Sequence, residues 1–339
     1  MPASRNRTPI PHSVHRVVSE FDLIRRYFTH RARNTVLGVG DDAAVVRVES
    51  GCELVISADM LVSDTHFFAD AEPHQLGHKA MAVNLSDMAA MGATPRWATL
   101  ALALPGVDQK WLAAFSRGFM ALARRHQVDL IGGDTTRGPL NICVQIMGMV
   151  PRGKALRRDG AIPGDDIWIS GKLGDAALAL AALKRQLTLR PAEMKTCAAR
   201  LHRPQPRVTL GLALRGIAHS AIDISDGLLA DLGHILDRSR VAAQIEMALL
   251  PKSVVMARHL DGVVACRALL AGGDDYELCF TAPRSKRARV LRAGHITRTE
   301  LTRIGQIQAR VRGRPTLIVR MADGSAMRST GGGGYDHFG

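Results

Sequence analysis

The chain has 339 residues, 46% of them apolar and 22% charged, a balance that excludes a disordered polymer and leaves room for two domains with their own cores. The net charge of +14 comes from dispersed basic residues without interleaved aromatics, which argues for a solvated Arg-rich surface, with nucleotide attraction secondary, and against specific nucleic-acid binding. No apolar run reaches the length of a membrane span, no apolar leader opens the chain, and five scattered cysteines without a CxxC pair suit free thiols in the cytoplasm.

Residues 1–19 read as a flexible basic tail and 20–28 as a short helix. Strands are predicted over 36–48 and 53–57, with a turn at 49–52. Helical spacing over 74–91 ends at Gly92, a natural helix stop. A β-like stretch over 97–104 and an amphipathic helix over 109–125 follow. Strands at 128–131 and 141–150 flank a glycine-rich segment, 132–138, read as a turn. A basic break at 151–166 opens the second half, so the predicted domains are 20–150 and 151–339. In the second half, strands are predicted at 167–170, 221–224, 271–280 and 301–309, and helices at 174–185, 206–218 and 228–239. Strands and helices mix without strict alternation, which points to an α+β fold rather than a doubly wound sheet.

Acidic residues recur in short, mostly Gly- or Ser-flanked clusters: Gly40-Asp41-Asp42, Ser57-Ala58-Asp59, Asn84-Leu85-Ser86-Asp87, Gly132-Gly133-Asp134, Asp223-Ile224-Ser225-Asp226-Gly227 and Gly272-Gly273-Asp274-Asp275. Mg²⁺ takes hard oxygen ligands, commonly one or two carboxylates plus substrate phosphates. Converging carboxylates without a cation repel one another, and glycines let backbone N–H groups approach phosphate oxygens. This pattern suits an ATP- and Mg²⁺-dependent phosphotransferase. Taken singly, each cluster is explained as a turn or a helix cap: Asp226 could cap the helix after it, and Asp87 could be an exposed helical residue. The Walker loop, the GxGxxG fingerprint, the kinase HRD and DFG motifs, HExxH and GxSxG are all absent.

The ordered set GVGDDAAVV, ISADMLVSDTHF, KAMAVNLSDMAAMGATP, LIGGDTTRGPL, SAIDISDGLLADLGHI, GGDDYELCF and GYDHF resembles the thiamine-monophosphate kinase family, from about residue 20 to residue 338. The resemblance implies a two-domain fold like aminoimidazole ribonucleotide synthetase, and a homodimer whose N-terminal sheets form a barrel across the interface. It implies transfer of the ATP γ-phosphoryl group to thiamine monophosphate with several Mg²⁺ ions. It carries metal-ligand roles onto Asp42, Ser57, Asp59, Asp87, Asp134, Asp223 and Asp226, with Asp134 and Asp42 at the reaction centre. Nucleotide contacts fall on Gly133, Asp134, Arg158 and Ser225, and substrate contacts on His66, Asp274 and Tyr335. Two positions depart from the family: Ala58 replaces a common Thr, and Asp274 replaces a common Glu one methylene longer. Selenophosphate synthetases carry a reactive Cys or selenocysteine near the N-terminus and the related hydrogenase maturation factor a C-terminal cysteine; neither has a counterpart here, since the first cysteine is Cys52 and the chain ends GYDHFG.

Overall fold

The computed structural model describes residues 20–30, 32–321 and 323–329. The predicted tail, 1–19, lies outside them. The first half runs α1 (Glu20–Leu23, continued by a π-turn, Ile24–Phe28), β1 (Thr35–Leu37), β2 (Val45–Val46), β3 (Cys52–Val62), α2 (Pro73–Ala90), β4 (Thr94–Leu104), α3 (Gln109–Arg125), β5 (Asp129–Arg137) and β6 (Asn141–Pro151). Strands β3 to β6 form one sheet in the order β3-β6-β4-β5. The second half runs β7 (Asp166–Ser170), α4 (Asp175–Leu183), α5 (Pro191–His202), α6 (Val208–Leu214), β8 (Ser220–Asp223), α7 (Leu228–Ser239) and β9 (Val241–Glu246). It continues with α8 (Val254–His259), α9 (Val263–Ala271), β10 (Leu278–Ala282), α10 (Arg287–Thr297), β11 (Leu301–Ala309), β12 (Leu317–Arg320) and β13 (Ala326–Ser329). Its sheet has seven strands in the order β13-β12-β9-β11-β7-β10-β8, antiparallel except where β12 meets β9.

Helix α2 is the centre of the fold. Pro73 sits in its first turn, and the Glu72 carboxylate caps it by accepting from the His74 and Gln75 amides. It is buried nearly all round, as a helix enclosed by protein must be. One face of the first sheet, through Leu100, Leu102, Ile142, Val144 and Ile146, shares its core. Trp168, Ala221 and Phe280 from one face of the second sheet join the same core, so the two halves are continuous around α2. The other face of the second sheet, carrying Ile167, Ile169, Ile222 and Cys279, packs against α4, α5, α7 and α9. This is the period-2 alternation of a sheet covered on both sides. Among the described residues no helix is long and apolar enough to cross a membrane.

Three readings of the sequence change here. The strand expected over 36–48 is two short strands, β1 (Thr35–Leu37) and β2 (Val45–Val46), joined by a loop. The glycine-rich segment 132–138 is not a turn: β5 extends to Arg137 and pairs in parallel with β4 from Leu100↔Gly133 to Leu104↔Arg137. An edge strand tolerates glycine, and the long parallel partner satisfies its backbone. The segment 271–280 is half loop, with β10 starting only at Leu278. Helices α5, α8, α9 and α10 and strands β9, β12 and β13 had no prediction.

Candidate active site

Three predicted acids come together from three separate elements. Asp59 stands on β3, Asp87 on α2 and Asp223 at the end of β8. The Ser57 hydroxyl donates to Asp87 Oδ2 at 2.5 Å, and the Ser86 hydroxyl donates to Asp223 Oδ2 at 2.8 Å. Burial, then the charges of Asp87 and Asp223, push the Asp59 carboxyl up to about 7. Burial, then Asp87, push Asp223 up to about 7 as well, against the Ser86 hydrogen bond and the Arg158 charge. Asp87 is likewise raised, by burial first, while Ser57 and Arg158 oppose the shift. Arg158 opens a short 3-10 turn, and its carbonyl accepts from Ser239 Oγ at 2.8 Å. Its guanidinium is the cation acting on both Asp87 and Asp223.

Ser225 and Asp226 lie in the turn between β8 and α7. The amides of Ser225, Asp226 and Gly227 all donate to Asp231 Oδ2, each at 3.1 Å. Asp231, in the first turn of α7, therefore shapes this turn, and Gly227 at the N-cap has no side chain with which to cap the helix. The capping role open to Asp226 is thus filled by Asp231. Sequence reasoning missed Asp231, though an acid four residues beyond a Asp-Gly turn at a helix start was its signal. The alternative for Asp87 also falls away, because Asp87 faces the interior acid group rather than solvent.

Asp42, Gly133 and Asp134 gather elsewhere. They line a cavity of about 600 Å³ together with Ile24, Phe28 and Thr99. Asp42 is carried between β1 and β2, a two-stranded arm pinned where Asp129 Oδ2 accepts from the Arg33 and Asn34 amides. Gly133 has φ +147, and a Cβ there would lie 1.9 Å from the Leu100 carbonyl oxygen, so only glycine fits against β4.

Sheet register separates the two groups. Asp59, Val144, Leu100 and Gly133 form one row across the sheet, and Met60, Cys143, Ala101 and Asp134 form the next. Successive residues of a strand face opposite sides, so Asp59 points toward α2 and Asp134 away from it. Three strand spacings also put their strands about 14 Å apart.

His66 follows β3 in a turn where Asp64 has φ +63. Its Nδ1 accepts from the Val62 amide at 3.0 Å, which leaves the proton on Nε2. Asp274 is joined to Lys79 at 2.8 Å and to the Tyr276 hydroxyl at 3.2 Å. Tyr276 also feels the charges of Asp59 and Asp223, so this pair adjoins the buried acids. Tyr335 lies outside the described residues.

Among the described residues no three Asp, Glu, His or Cys side chains stand at metal-ligating distance from one point. The chemistry of the donor set nevertheless fits a hard divalent cation. Three carboxylates, Asp223 buried and Asp59 and Asp87 half-buried, and a serine hydroxyl offer only oxygen; burial raises all three acids, the charge of Asp87 adds to the shift of Asp59 and Asp223, and Arg158 opposes it at Asp87 and Asp223.

The family model described as AIR synthase related protein, N-terminal domain, matches residues 40–150. The chain is similar to thiamine-monophosphate kinase of Escherichia coli (strain K12), 46% identical over 94% of this chain and 98% of that protein. It superposes on the crystal structure of thiamine-monophosphate kinase from Stenotrophomonas maltophilia K279a with a TM-score of 0.80 and 48% identity, covering 87% of this chain and 92% of that one. AaThiL complexed with AMPPCP and TMP matches at 27% identity and a TM-score of 0.74, over 94% of this chain and 96% of that one.

Proposed function

The chain belongs to the thiamine-monophosphate kinase family, and from that premise we propose that it moves the γ-phosphoryl group of ATP directly, in line, onto the phosphate of thiamine monophosphate. The products are thiamine diphosphate and ADP. The observation that carries the reading is the buried carboxylate group from β3, α2 and β8, set beside Arg158.

The acceptor is itself a phosphate, ionised at neutral pH, so it needs little help from a general base. The difficulty is holding two polyanions in line, and phosphoryl transfer is mostly positioning and charge stabilisation. Asp42, Ser57, Asp59, Asp87, Asp134, Asp223 and Asp226 would hold Mg²⁺, which would neutralise the charge of both phosphate groups. Two separated acid groups suit several ions better than one. Arg158 offers a charge-assisted contact to a nucleotide phosphate, and Ser225, in the turn shaped by Asp231, offers a second one. Gly133 lets a phosphate or its ion approach the backbone next to Asp134. His66 and Asp274, with Tyr335, bind the acceptor.

Incubation of the pure protein with thiamine monophosphate, ATP and Mg²⁺ is expected to yield thiamine diphosphate; no product would overturn the reading. Direct transfer predicts inversion at a chiral γ-phosphorus, and retention would require a phosphoenzyme. Asp134 is exposed, so Asp134→Asn is expected to fold normally and to lose about 10²–10³-fold in kcat. Near-normal turnover in that variant would remove Asp134 from the reaction centre.

The proposed domain boundary, after residue 150, coincides with the end of β6 (Asn141–Pro151). Strand β3 is an edge strand, and its outward face exposes Leu54, Ile56 and Met60, the last two more than half exposed. A bare apolar edge face supports a homodimer in which two such sheets close a barrel. Ile56→Arg is expected to sediment as a monomer; an unchanged sedimentation coefficient would refute this interface. The five free thiols support a cytoplasmic location.

A further inference from the structure

Lys79 is a charged residue that the fold buries. It is 5% exposed, and its ammonium lies 2.8 Å from Asp274 Oδ1. The Tyr276 hydroxyl donates to the same oxygen. A quarter of the Asp274 side chain remains exposed, and its Oδ2 has no partner among the described residues.

The backbone that carries Asp274 is strained. Asp274 has φ +68 and Tyr276 has φ +50, a left-handed conformation that costs a side-chain-bearing residue about 1–2 kcal/mol. The neighbouring turn holds it in place. The Asp274 amide donates to the Ser225 carbonyl at 2.9 Å, and the Tyr276 amide to the Ile224 carbonyl at 2.8 Å. Packing is so close that a Cβ on Gly273 would lie 2.2 Å from the Ser225 oxygen. Strain held against the segment that bears Ser225 and Asp226 points to a demand for one carboxylate orientation.

Helix geometry ties this pair to the acids. Lys79 and Ser86 are seven residues apart, so they share a face of α2 about 10 Å apart along the axis. Ser86 binds Asp223 at one end of that face, and Lys79 binds Asp274 at the other. His202 lies close enough to feel both Lys79 and Asp274.

We infer that Lys79 is a positioning residue for the acceptor. With Tyr276 it engages one oxygen of Asp274 internally and presents the other to the heteroaromatic end of thiamine monophosphate. The inference rests on the function proposed above. It also gives the short Asp274 a physical role: the ammonium draws the carboxylate back toward α2, so the ring is met by one oriented hydrogen-bond acceptor rather than by a full unpaired charge.

Steady-state kinetics with thiamine monophosphate, ATP and Mg²⁺ test this. Lys79→Met keeps the bulk of the stem, and it is expected to raise the acceptor KM about 10-fold while leaving the KM for ATP unchanged. Lys79→Arg is expected to recover most of that loss. Asp274→Asn is expected to raise the acceptor KM similarly, and Lys79→Met combined with Asp274→Asn to be no worse than Asp274→Asn alone. The double variant leaves neither charge unpaired, so it decides the matter if a single variant fails to fold. An unmoved acceptor KM, an equal rise in the KM for ATP, or additive single effects would overturn the role of Lys79. Wild-type protein that makes no thiamine diphosphate overturns the proposed function, and this inference with it.

Discussion

Metal-free Asp59→Asn is expected to melt several degrees above the wild type at pH 8, while its turnover with Mg²⁺ falls about 10²–10³-fold. The two effects have one cause. Asp59, Asp87 and Asp223 are held together in a buried place, and the fold opposes their ionisation. The Asp59 carboxyl is pushed up to about 7 in the fold, against an ordinary value of 3.8. Between those values the folded chain keeps a proton that the unfolded chain has released. The stability from that proton is fully present below about 3.8 and is lost as the pH rises through about 7. Asparagine keeps the shape without the charge. Its advantage, a few kcal/mol at most, is therefore large at pH 8 and absent near pH 4. Mg²⁺ at about 100 times its Kd is expected to stabilise the wild type by about 2.7 kcal/mol, and Asp59→Asn by less. Calorimetric melts at both pH values, with and without Mg²⁺, check this. Equal melting temperatures at pH 8 would show that Asp59 does not feel its neighbours, and undiminished turnover that it does not serve the reaction.

Arg207→Met is expected to lose about 3–5 kcal/mol of stability. Glu277 is 3% exposed in the middle of the fold. Arg207 holds it through two parallel contacts, Nε to Oε2 at 2.6 Å and Nη2 to Oε1. The Ser170 hydroxyl donates to the same carboxylate and accepts from the Leu278 amide, which fixes the start of β10. Burial pushes the Glu277 carboxyl up, and Arg207 works against that shift. Without the guanidinium a carboxylate stays buried with a hydroxyl as its remaining partner, which costs more than the pair contributes. Arg207→Met with Glu277→Leu is expected to recover most of the loss, since an apolar pair replaces a buried ion pair at little cost. Urea denaturation measures both. A single variant within 1 kcal/mol of wild type would mean that water reaches Glu277 when Arg207 is gone. The pair also ends the strained segment with Asp274, so the acceptor KM is expected to rise in the single variant.

Much of the fold was legible wherever the signal was local. Helices 109–125 and 228–239 and strand 301–309 fall where apolar periodicity put them. Periodicity is a property of a few successive turns, so a single segment carries it. Strand β5 was misread because Gly132-Gly133 looks like a turn until β4 lies beside it. A partner strand 30 residues away in sequence supplies the hydrogen bonds, and no local pattern records it.

The sequence by itself determined the family, through the order of its motifs, and it named the acids, because acid residues flanked by glycine and serine in that order are covalent facts of the chain. It could not determine which acids meet. Only the tertiary structure brought Asp59, Asp87 and Asp223 together, and it set Asp134 on the opposite face of the same sheet, because side-chain direction follows from cross-strand register. Asp231 and Lys79 likewise became visible only in three dimensions. No sequence expectation fell on either residue; the amides of the Ser225–Gly227 turn and the Asp274 carboxylate placed against them mark them out. Electrostatic coupling depends on distance through space, and α2, β8 and the loop before β10 are adjacent only once the two sheets have closed around α2.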